Sequence, residues 1–71
     1  MIYCVAFSDV EEHMQRIGFR RLGETSETVI FERGDALVTL RRLERLPEML
    51  MNNAFYEAGL EPPELRTFWC D

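Results

Sequence analysis

Residues 28–43 read TVIFERGDALVTLRRL, and this stretch decides the fold. Apolar and β-branched residues predominate on both sides of Gly34-Asp35, which is typical of two strands joined by a tight two-residue turn. The pattern predicts strands over residues 28–32 and 36–43. Across the turn it pairs four apolar side chains that share one face, as a half-buried antiparallel hairpin requires: Phe31 with Val38, and Val29 with Leu40.

A short strand and a helix are predicted before this hairpin. Residues 2–7 form an apolar run, partly β-branched and aromatic, that indicates a buried strand. Apolar residues then recur at helical spacing over residues 9–17. Ser8 and Glu11 have the spacing of a capping box, in which the two side chains satisfy free amides at the helix start. Residues 19–22 follow as the first strand of the hairpin's sheet.

A second helix is predicted after the hairpin, over residues 48–58. Pro47 suits its first turn, and Gly59 is a typical signal for its C-terminal end. Four apolar residues share the face that we expect in the core: Leu50, Ala54, Phe55 and Ala58. The tail, residues 64–71, is predicted to be a short packed element, either a helical turn or an added strand, because an exposed Phe-Trp pair would be adhesive.

These elements define a small α+β fold. We expect a small antiparallel sheet with two helices on one face, in the order helix, three strands, helix, with an extra N-terminal strand and a short C-terminal element. The chain has 71 residues, too few for two domains, so residues 1–71 form a single domain. Its apolar fraction of 46% is ordinary for a globular protein.

The charge balance is acidic and disfavours one class of function. Thirteen Asp and Glu against eight Arg give a net charge of −5 at pH 7, and the chain has no lysine. A protein that binds nucleic-acid backbones without sequence preference needs a basic surface. We therefore do not expect a general nucleic-acid binder, although the balance is compatible with a local basic patch.

The apolar runs and the cysteines bear on location. No stretch approaches the roughly 20 apolar residues of a membrane span, and the run at residues 1–7 is too short for a signal peptide and has no basic flank. We therefore expect a cytoplasmic protein with no membrane partner. In a reducing compartment, two free thiols at Cys4 and Cys70 are favoured over one disulfide, and the sequence leaves their pairing open.

The titratable residues do not have the spacing of a catalytic or metal site. His13 is the only histidine, and Cys4 and Cys70 lie at opposite ends of the chain, so no metal-ligand spacing results. We expect neither a metal nor a cofactor. Three carboxylates at the start of the first helix are expected to be solvated and to form an acidic patch: Asp9, Glu11 and Glu12. Such a patch could occupy a basic nucleic-acid channel.

The arginines of the predicted strands are a second set of candidate binding residues. Neighbours on a strand point to opposite faces, so Arg20 and Arg21 cannot share one surface, and neither can Arg41 and Arg42. They could contact RNA phosphates or the carboxylates of a partner. The favoured interpretation is that they pair with glutamates of the chain itself: Glu24, Glu32 or Glu44.

Four short blocks are spaced along the chain: Gly18-Phe19-Arg20, Thr28-Val29-Ile30-Phe31, Val38-Thr39-Leu40 and Glu57-Ala58-Gly59-Leu60. With this spacing the chain resembles the HicA (YcfA-like) toxins, which are small RNA-cleaving partners in toxin–antitoxin systems. The resemblance covers about residues 8–65. It implies a fold like that of double-stranded-RNA-binding domains.

The resemblance also implies a catalytic histidine just before the Ile-Phe of the middle strand. Residues 26–31 read SETVIF, so Thr28 occupies the place of that histidine. Threonine has no titration near neutral pH and cannot act as the general base of RNA cleavage. We therefore predict no catalytic residue at this position, and His13 becomes a candidate only if the chain is an enzyme.

Together these observations predict a non-catalytic interaction protein on a HicA-like fold. The expected partner is a protein or a nucleoprotein, and a small acidic protein would suit a phage or mobile-element inhibitor, for example an anti-CRISPR. The alternatives are a HicA-type mRNA-cleaving toxin and an RNA-binding module of a toxin–antitoxin system. A homodimer would add buried surface to a small chain.

The predicted binding surface of such a protein is the exposed face of the second helix. Four residues lie there, away from the predicted core: Met49, Asn52, Asn53 and Tyr56. Methionine and tyrosine are enriched at interfaces. An equally weighted alternative is that Met49 and Tyr56 complete the core.

Overall fold

Residues 2–70 form two helices and six strands. The computed structural model describes these residues, and Met1 and Asp71, the outermost residues of the predicted first run and of the tail, lie outside them. The elements in chain order are β1 (Tyr3–Ala6), α1 (Phe7–Arg16), β2 (Arg20–Glu24), β3 (Thr28–Arg33), β4 (Ala36–Arg41), β5 (Arg45–Pro47), α2 (Glu48–Glu57) and β6 (Phe68–Trp69). The predicted α+β class is confirmed.

The strands form two antiparallel sheets of three strands each. In one sheet β2, β3 and β4 are neighbours in chain order, and in the other the order is β5-β1-β6. The prediction of one sheet is therefore incomplete. Strand β1 lies between strands from the middle and the end of the chain, so the second sheet depends on pairings that are distant in sequence. Strand β5 also interrupts the predicted succession of helix, three strands and helix.

The hairpin of β3 and β4 has the predicted register. Phe31 lies opposite Val38 and Val29 lies opposite Leu40, and all four side chains are buried. Gly34 has a φ of 57°, whereas the residue after it does not have a positive φ. These signs fit a two-residue hairpin turn with glycine at its first central position.

The core lies between the inner face of the β2–β4 sheet and the two helices. Strands β1 and β5 each add one residue to it. The buried cluster consists of Val5, Val10, Met14, Phe19, Val29, Phe31, Val38, Leu40, Leu46, Met51, Ala54 and Phe55. Among residues 2–70 no polar or charged residue is buried, so this core carries no cost of burying a polar group.

Helix α1 begins two residues before its predicted start. It covers Phe7–Arg16 with Ala6 at the N-cap, and no side chain caps its first turn. The capping box predicted for Ser8 and Glu11 is therefore wrong, because both residues lie inside the helix. The carboxylate of Glu11 instead accepts two hydrogen bonds from Arg21 on β2.

Helix α2 covers Glu48–Glu57, and its buried face is not quite the predicted one. Ala54 and Phe55 are buried as predicted, but the first turn is anchored by Met51, and Leu50 is 39% exposed. Leu50 and Met51 are adjacent in the apolar run Met49-Leu50-Met51. Periodicity alone does not select between two such neighbours.

Two short strands complete the second sheet. Strand β5 is absent from the prediction, and Pro47, expected in the first turn of α2, is the last residue of β5 and the N-cap of α2. The tail forms β6, one of the two forms that the sequence left open. Each of these strands pairs with β1 over two or three residues, which is too short to leave a periodic pattern in the sequence.

A disulfide joins Cys4 on β1 to Cys70, directly after β6. The Cα atoms of the two residues are 5.7 Å apart, and the N–H of Cys70 donates a hydrogen bond to the carbonyl oxygen of Ile2 at 3.2 Å. The prediction of two free thiols is wrong. The pairing of β6 with β1 brings the two side chains within reach of each other, although 66 positions separate them in sequence.

Candidate interaction surface

The solvent side of α2 carries the two most exposed large apolar side chains among residues 2–70. Met49 is 72% exposed and Tyr56 is 64% exposed. They are seven positions apart and therefore lie on one stripe of the helix, with Asn52 half-buried and Asn53 exposed between them. The alternative that Met49 and Tyr56 complete the core is excluded.

Two aromatic residues of the second sheet adjoin this stripe. Tyr3 on β1 and Trp69 on β6 are each about half exposed and lie opposite each other in the register. Their rings meet edge to face with centroids 5.6 Å apart. A shallow cleft connects this pair to the start of α2; its lining residues are Ile2, Tyr3, Pro47, Glu48 and Met49. We call five exposed residues the aromatic–methionine face: Ile2, Tyr3, Met49, Tyr56 and Trp69.

A groove of about 390 Å³ runs beside this face, between α2 and the extended segment that follows it. We call it the α2 groove. Its lining residues are Glu48, Asn52, Tyr56, Glu61, Pro62, Pro63, Glu64, Leu65 and Thr67. Leu60 and Leu65 pack against the core and fix the outer wall of the groove. Glu48 lines both this groove and the shallow cleft, so the two features lie on either side of this residue.

The charged residues that line the α2 groove are all glutamates, and Arg66, between the lining residues Leu65 and Thr67, does not line it. Residues 46–65 contain four glutamates, Glu48, Glu57, Glu61 and Glu64, and no arginine, lysine or histidine. None of the four forms a salt bridge within residues 2–70. Four of the five net negative charges of the chain therefore belong to this segment.

The acidic patch predicted at the start of α1 is partly neutralised. Glu11 Oε2 lies 2.6 Å from Arg21 Nη2, and Glu12 pairs with Arg16 at 2.9 Å. The hydrogen bond from Arg21 to Glu11 raises the pKa of the Arg21 guanidinium. Only Asp9 of the three carboxylates lacks a salt bridge to the described residues. This patch therefore presents little free negative charge.

Three of the four candidate arginines pair with Glu24 or Glu32, in line with the favoured interpretation, whereas Glu44 forms no salt bridge within residues 2–70. The pairs are Arg20 with Glu32 at 3.6 Å, Arg21 with Glu24 at 2.7 Å and Arg42 with Glu24 at 3.2 Å. Arg41 is exposed and has no salt bridge within residues 2–70. The structure does not bring Arg41 and Arg42 together as one basic surface, because neighbouring side chains on an extended segment point to opposite sides.

A second cleft, of about 370 Å³, lies beside α1. Its lining residues are Phe7, Arg21, Val29, Arg42, Leu43 and Glu44. Both guanidiniums in this cleft are already held by carboxylates, Arg21 by Glu11 and Glu24, and Arg42 by Glu24. A phosphate would have to displace these ion pairs, so the cleft is a poor site for an RNA backbone.

The two positions considered for RNA cleavage make structural contacts. His13 is half-buried on α1, with its ring centroid 6.3 Å from that of Phe55. Burial, together with the nearby charge of Arg16, lowers the pKa of His13 below 6.5. The hydroxyl of Thr28 lies 2.8 Å from the hydroxyl of Thr25, in the turn that leads into β3. Both side chains are thus engaged in holding local structure.

The described residues were compared with the requirements of a metal site and of a membrane-spanning helix. Among residues 2–70, no three side chains of His, Cys, Asp or Glu converge closely enough to hold a metal ion. Neither helix in this part of the chain has the length and apolar character needed to cross a bilayer.

Comparisons with known protein families, with curated proteins and with solved structures found no match to this chain. The HicA resemblance is therefore carried only by the sequence blocks described above. The surface of α2, β1 and β6 has to be interpreted from its own chemistry.

Sequence reasoning located the α2 part of this surface and missed the part from the second sheet. We expected the tail to pack, but Trp69 faces solvent while its neighbour Phe68 is half-buried, because successive side chains of a strand point to opposite faces. The one feature of the sequence that could have indicated this second part of the surface was the pair of cysteines. A bond between Cys4 and Cys70 would have placed Trp69 beside Tyr3.

Proposed function

We propose that this protein is a non-catalytic interaction protein that binds another protein through the aromatic–methionine face. One observation carries this proposal: large apolar side chains from three regions of the chain are exposed on a protein whose core is closed without them. Ile2, Tyr3 and Met49 line one cleft, Trp69 packs against Tyr3, and Tyr56 lies two helical turns from Met49 on the same stripe of α2. Tryptophan, tyrosine and methionine are enriched at interfaces, and tryptophan and tyrosine supply many of the residues that dominate binding energy.

Large apolar side chains are also exposed on the outer face of the β2–β4 sheet, and this face is less suited to the role. Leu22 and Leu37 are both about 55% exposed there. The register places Arg20, Glu32 and Leu37 in one row across the three strands. This face therefore mixes isolated leucines with an ion pair and carries no aromatic residue.

The HicA-like scaffold is a further part of the proposal. It is supported by the four sequence blocks and by the occurrence of α1, the three strands β2 to β4, and α2 in that order along the chain. Thr28 cannot serve as a general base, which favours binding over cleavage. A role as an inhibitor encoded by a phage or a mobile element, acting on a protein or nucleoprotein such as a CRISPR effector, rests on the small size and the acidity of the chain.

The disulfide bears on where such a protein works. Paired cysteines persist in oxidising compartments, whereas the cytoplasm keeps most thiols reduced. The cytoplasmic location expected from the sequence would therefore require Cys4 and Cys70 to be protected from reduction or to work as thiols. An oxidising compartment would preserve the tie that holds Trp69 beside Tyr3.

The test is an affinity capture from cells that carry the protein, with and without nuclease treatment. We expect a protein partner that survives nuclease. Its affinity for the Tyr56→Ala, Trp69→Ala double variant should fall by about 30-fold or more, since removal of central aromatic residues from an interface costs about 2 kcal/mol or more.

The matched control is the Leu22→Ala, Leu37→Ala double variant. It removes two side chains of similar exposure from the outer face of the β2–β4 sheet, away from the aromatic–methionine face. We expect this control to bind as the wild type does. Capture of RNA alone, loss of the partner after nuclease, or equal weakening by both double variants would contradict the proposal.

A further inference from the structure

We propose that the α2 groove receives a basic segment of the partner protein, with arginine or lysine side chains placed between its glutamates. This inference rests on the proposed function and assigns a chemical class to what binds beside the aromatic–methionine face. It does not follow from the apolar surface itself, because that surface carries no information about the charge of a partner.

Charge complementarity supports this occupant. Glu48, Glu61 and Glu64 line the groove, and no lining residue is a cation. Elsewhere in the fold the glutamates of α1 and of the β2–β4 sheet are paired with arginines, whereas these three have no salt bridge within the described residues. Unneutralised like charges along one groove repel one another, and a ligand with positive charges relieves that repulsion.

The geometry favours an extended ligand over a single ion. The groove carboxylates do not converge as a metal site. They are spread over a groove of about 390 Å³, which is within the usual range of about 300–1,000 Å³ for ligand pockets. Several spaced negative charges along one groove match a chain that carries several positive charges.

The uncharged lining residues suit the same ligand. The ring of Tyr56 is 64% exposed at the groove, so a guanidinium or ammonium group can lie over its face. Asn52 supplies an amide that can both donate to and accept from a peptide backbone. Tyr56 belongs to the groove and to the aromatic–methionine face, so one partner segment can contact both.

The groove is held in shape before any ligand arrives. Pro62 and Pro63 stiffen its outer wall, and Leu60 and Leu65 anchor that wall to the core. The disulfide fixes the chain again at Cys70. A preformed site spares the partner the entropic cost of ordering this segment.

Binding of RNA to the α2 groove is the outcome that the inference excludes. Phosphates would meet the unpaired glutamates of residues 46–65 directly, and like charges across an interface oppose binding. Binding of RNA to this surface would therefore overturn the inference.

The test uses the full oxidised chain and three fluorescent probes in anisotropy titrations: an octapeptide of alternating arginine and leucine, the same peptide with glutamate replacing arginine, and a polyuridine oligonucleotide. We expect only the arginine peptide to bind, and its affinity should fall as salt is raised, because exposed charges are screened. The Glu61→Gln, Glu64→Gln double variant should weaken binding about fivefold.

Two further variants separate the groove from general acidity. Tyr56→Ala should weaken the arginine peptide about threefold while Tyr56→Phe, which keeps the ring, should not. The control Glu27→Gln, Asp35→Asn removes two exposed carboxylates from the turns of the β2–β4 sheet and should bind within twofold of the wild type. Melting curves of every variant establish that each is folded.

No binding of the arginine peptide, equal weakening by the groove and control double variants, or binding of the polyuridine probe would overturn the inference. Its failure is distinguishable from failure of the proposed function. If Glu61→Gln, Glu64→Gln leaves capture of the natural partner unchanged while Tyr56→Ala, Trp69→Ala abolishes it, the proposed function holds and the basic segment is excluded.

Discussion

The guanidinium of Arg33 lies over the ring of Phe19, 4.7 Å from its centroid. The same side chain donates a hydrogen bond from Nη1 to the carbonyl oxygen of Ile17 at 2.8 Å. Arg33 is the last residue of β3, and Phe19 is the buried residue that follows the turn after α1. The Arg33 side chain therefore covers the edge of the core at the turn between α1 and β2.

Replacement of Arg33 with methionine should destabilise the protein by about 1 kcal/mol, since it removes an exposed cation–π contact and a hydrogen bond while keeping an apolar stem. In a domain of this size that loss lowers the melting temperature by roughly 5 °C. Arg41→Met is the matched control, because Arg41 has no salt bridge within residues 2–70. Equal melting temperatures for the two variants would show that the Arg33 contacts contribute nothing measurable.

Adjacent aromatic residues on α2 should respond in opposite ways to truncation. Phe55 is fully buried, so Phe55→Ala should cost about 3–5 kcal/mol, enough to unfold much of a small domain. Tyr56→Ala should change the free energy of unfolding by less than about 0.5 kcal/mol, because Tyr56 is mainly in solvent. Urea denaturation followed by circular dichroism measures both. A large loss with Tyr56→Ala would mean that Tyr56 belongs to the core.

Reduction of the disulfide should destabilise the fold by about 4 kcal/mol in the chain-entropy description, because Cys4 and Cys70 close a loop that contains almost the whole chain. Thermal melts with and without a dithiol reductant measure this difference. The melting temperature of the Cys4→Ser, Cys70→Ser variant should be close to that of the reduced wild type and should not change when the reductant is added. Identical melts of oxidised and reduced wild type would contradict the expected linkage.

Reduction of the disulfide should also open β6 locally. Strand β6 has two residues and pairs only with β1. The N–H of Cys70, directly after β6, donates a hydrogen bond to the carbonyl oxygen of Ile2, so in the reduced protein this amide should exchange with solvent faster than the paired amides of β3 and β4. Unchanged protection of the Cys70 amide after reduction would show that backbone pairing alone holds β6 in place.

His13 should titrate below 6.5, because burial and then the charge of Arg16 lower its pKa. A depressed pKa means that the unfolded chain takes up the proton first as pH falls. The contribution of His13 to stability is therefore complete above pH 6.5 and is lost as pH falls through the folded pKa. His13 is the only histidine, so its NMR titration is free of overlap.

Two variants check this account of His13. Arg16→Gln should raise the pKa of His13 towards its ordinary value by removing the second cause. His13→Gln should remove the histidine part of the pH dependence of melting between pH 6.5 and the folded pKa. A measured pKa of His13 at or above 6.5 would contradict the burial argument.

The β3–β4 hairpin could be predicted because its determinants are local. The two-residue turn at Gly34-Asp35 specifies the register, and that register places Val29, Phe31, Val38 and Leu40 on one face. Strands β5 and β6 could not be predicted in the same way. Each is two or three residues long and exists because it pairs with β1, so its determinants lie in distant parts of the chain.

The candidate surface likewise has a part that local sequence predicts and a part that depends on long-range pairing. Met49 and Tyr56 could be placed on the solvent side of α2 from helical spacing, since positions seven apart share a stripe. Tyr3 and Trp69 could not be assigned to that surface, because they adjoin it only after β1 and β6 pair and the disulfide forms. The groove was equally hidden, since the segment over residues 61–67 has no regular structure that a pattern could reveal.

The adjacency of Ile2 and Cys70 makes the chain a near-closed ring, with a backbone hydrogen bond of 3.2 Å across the gap. A circular permutant that links these residues and opens at Gly34-Asp35 would therefore keep all six strands and both helices. It would also move the free ends to the far end of the β3–β4 hairpin. Fusion partners attached before Ile2 or after Cys70 would emerge beside Tyr3 and Trp69, where they would shield the proposed interface, whereas fusions to the permutant would leave it open.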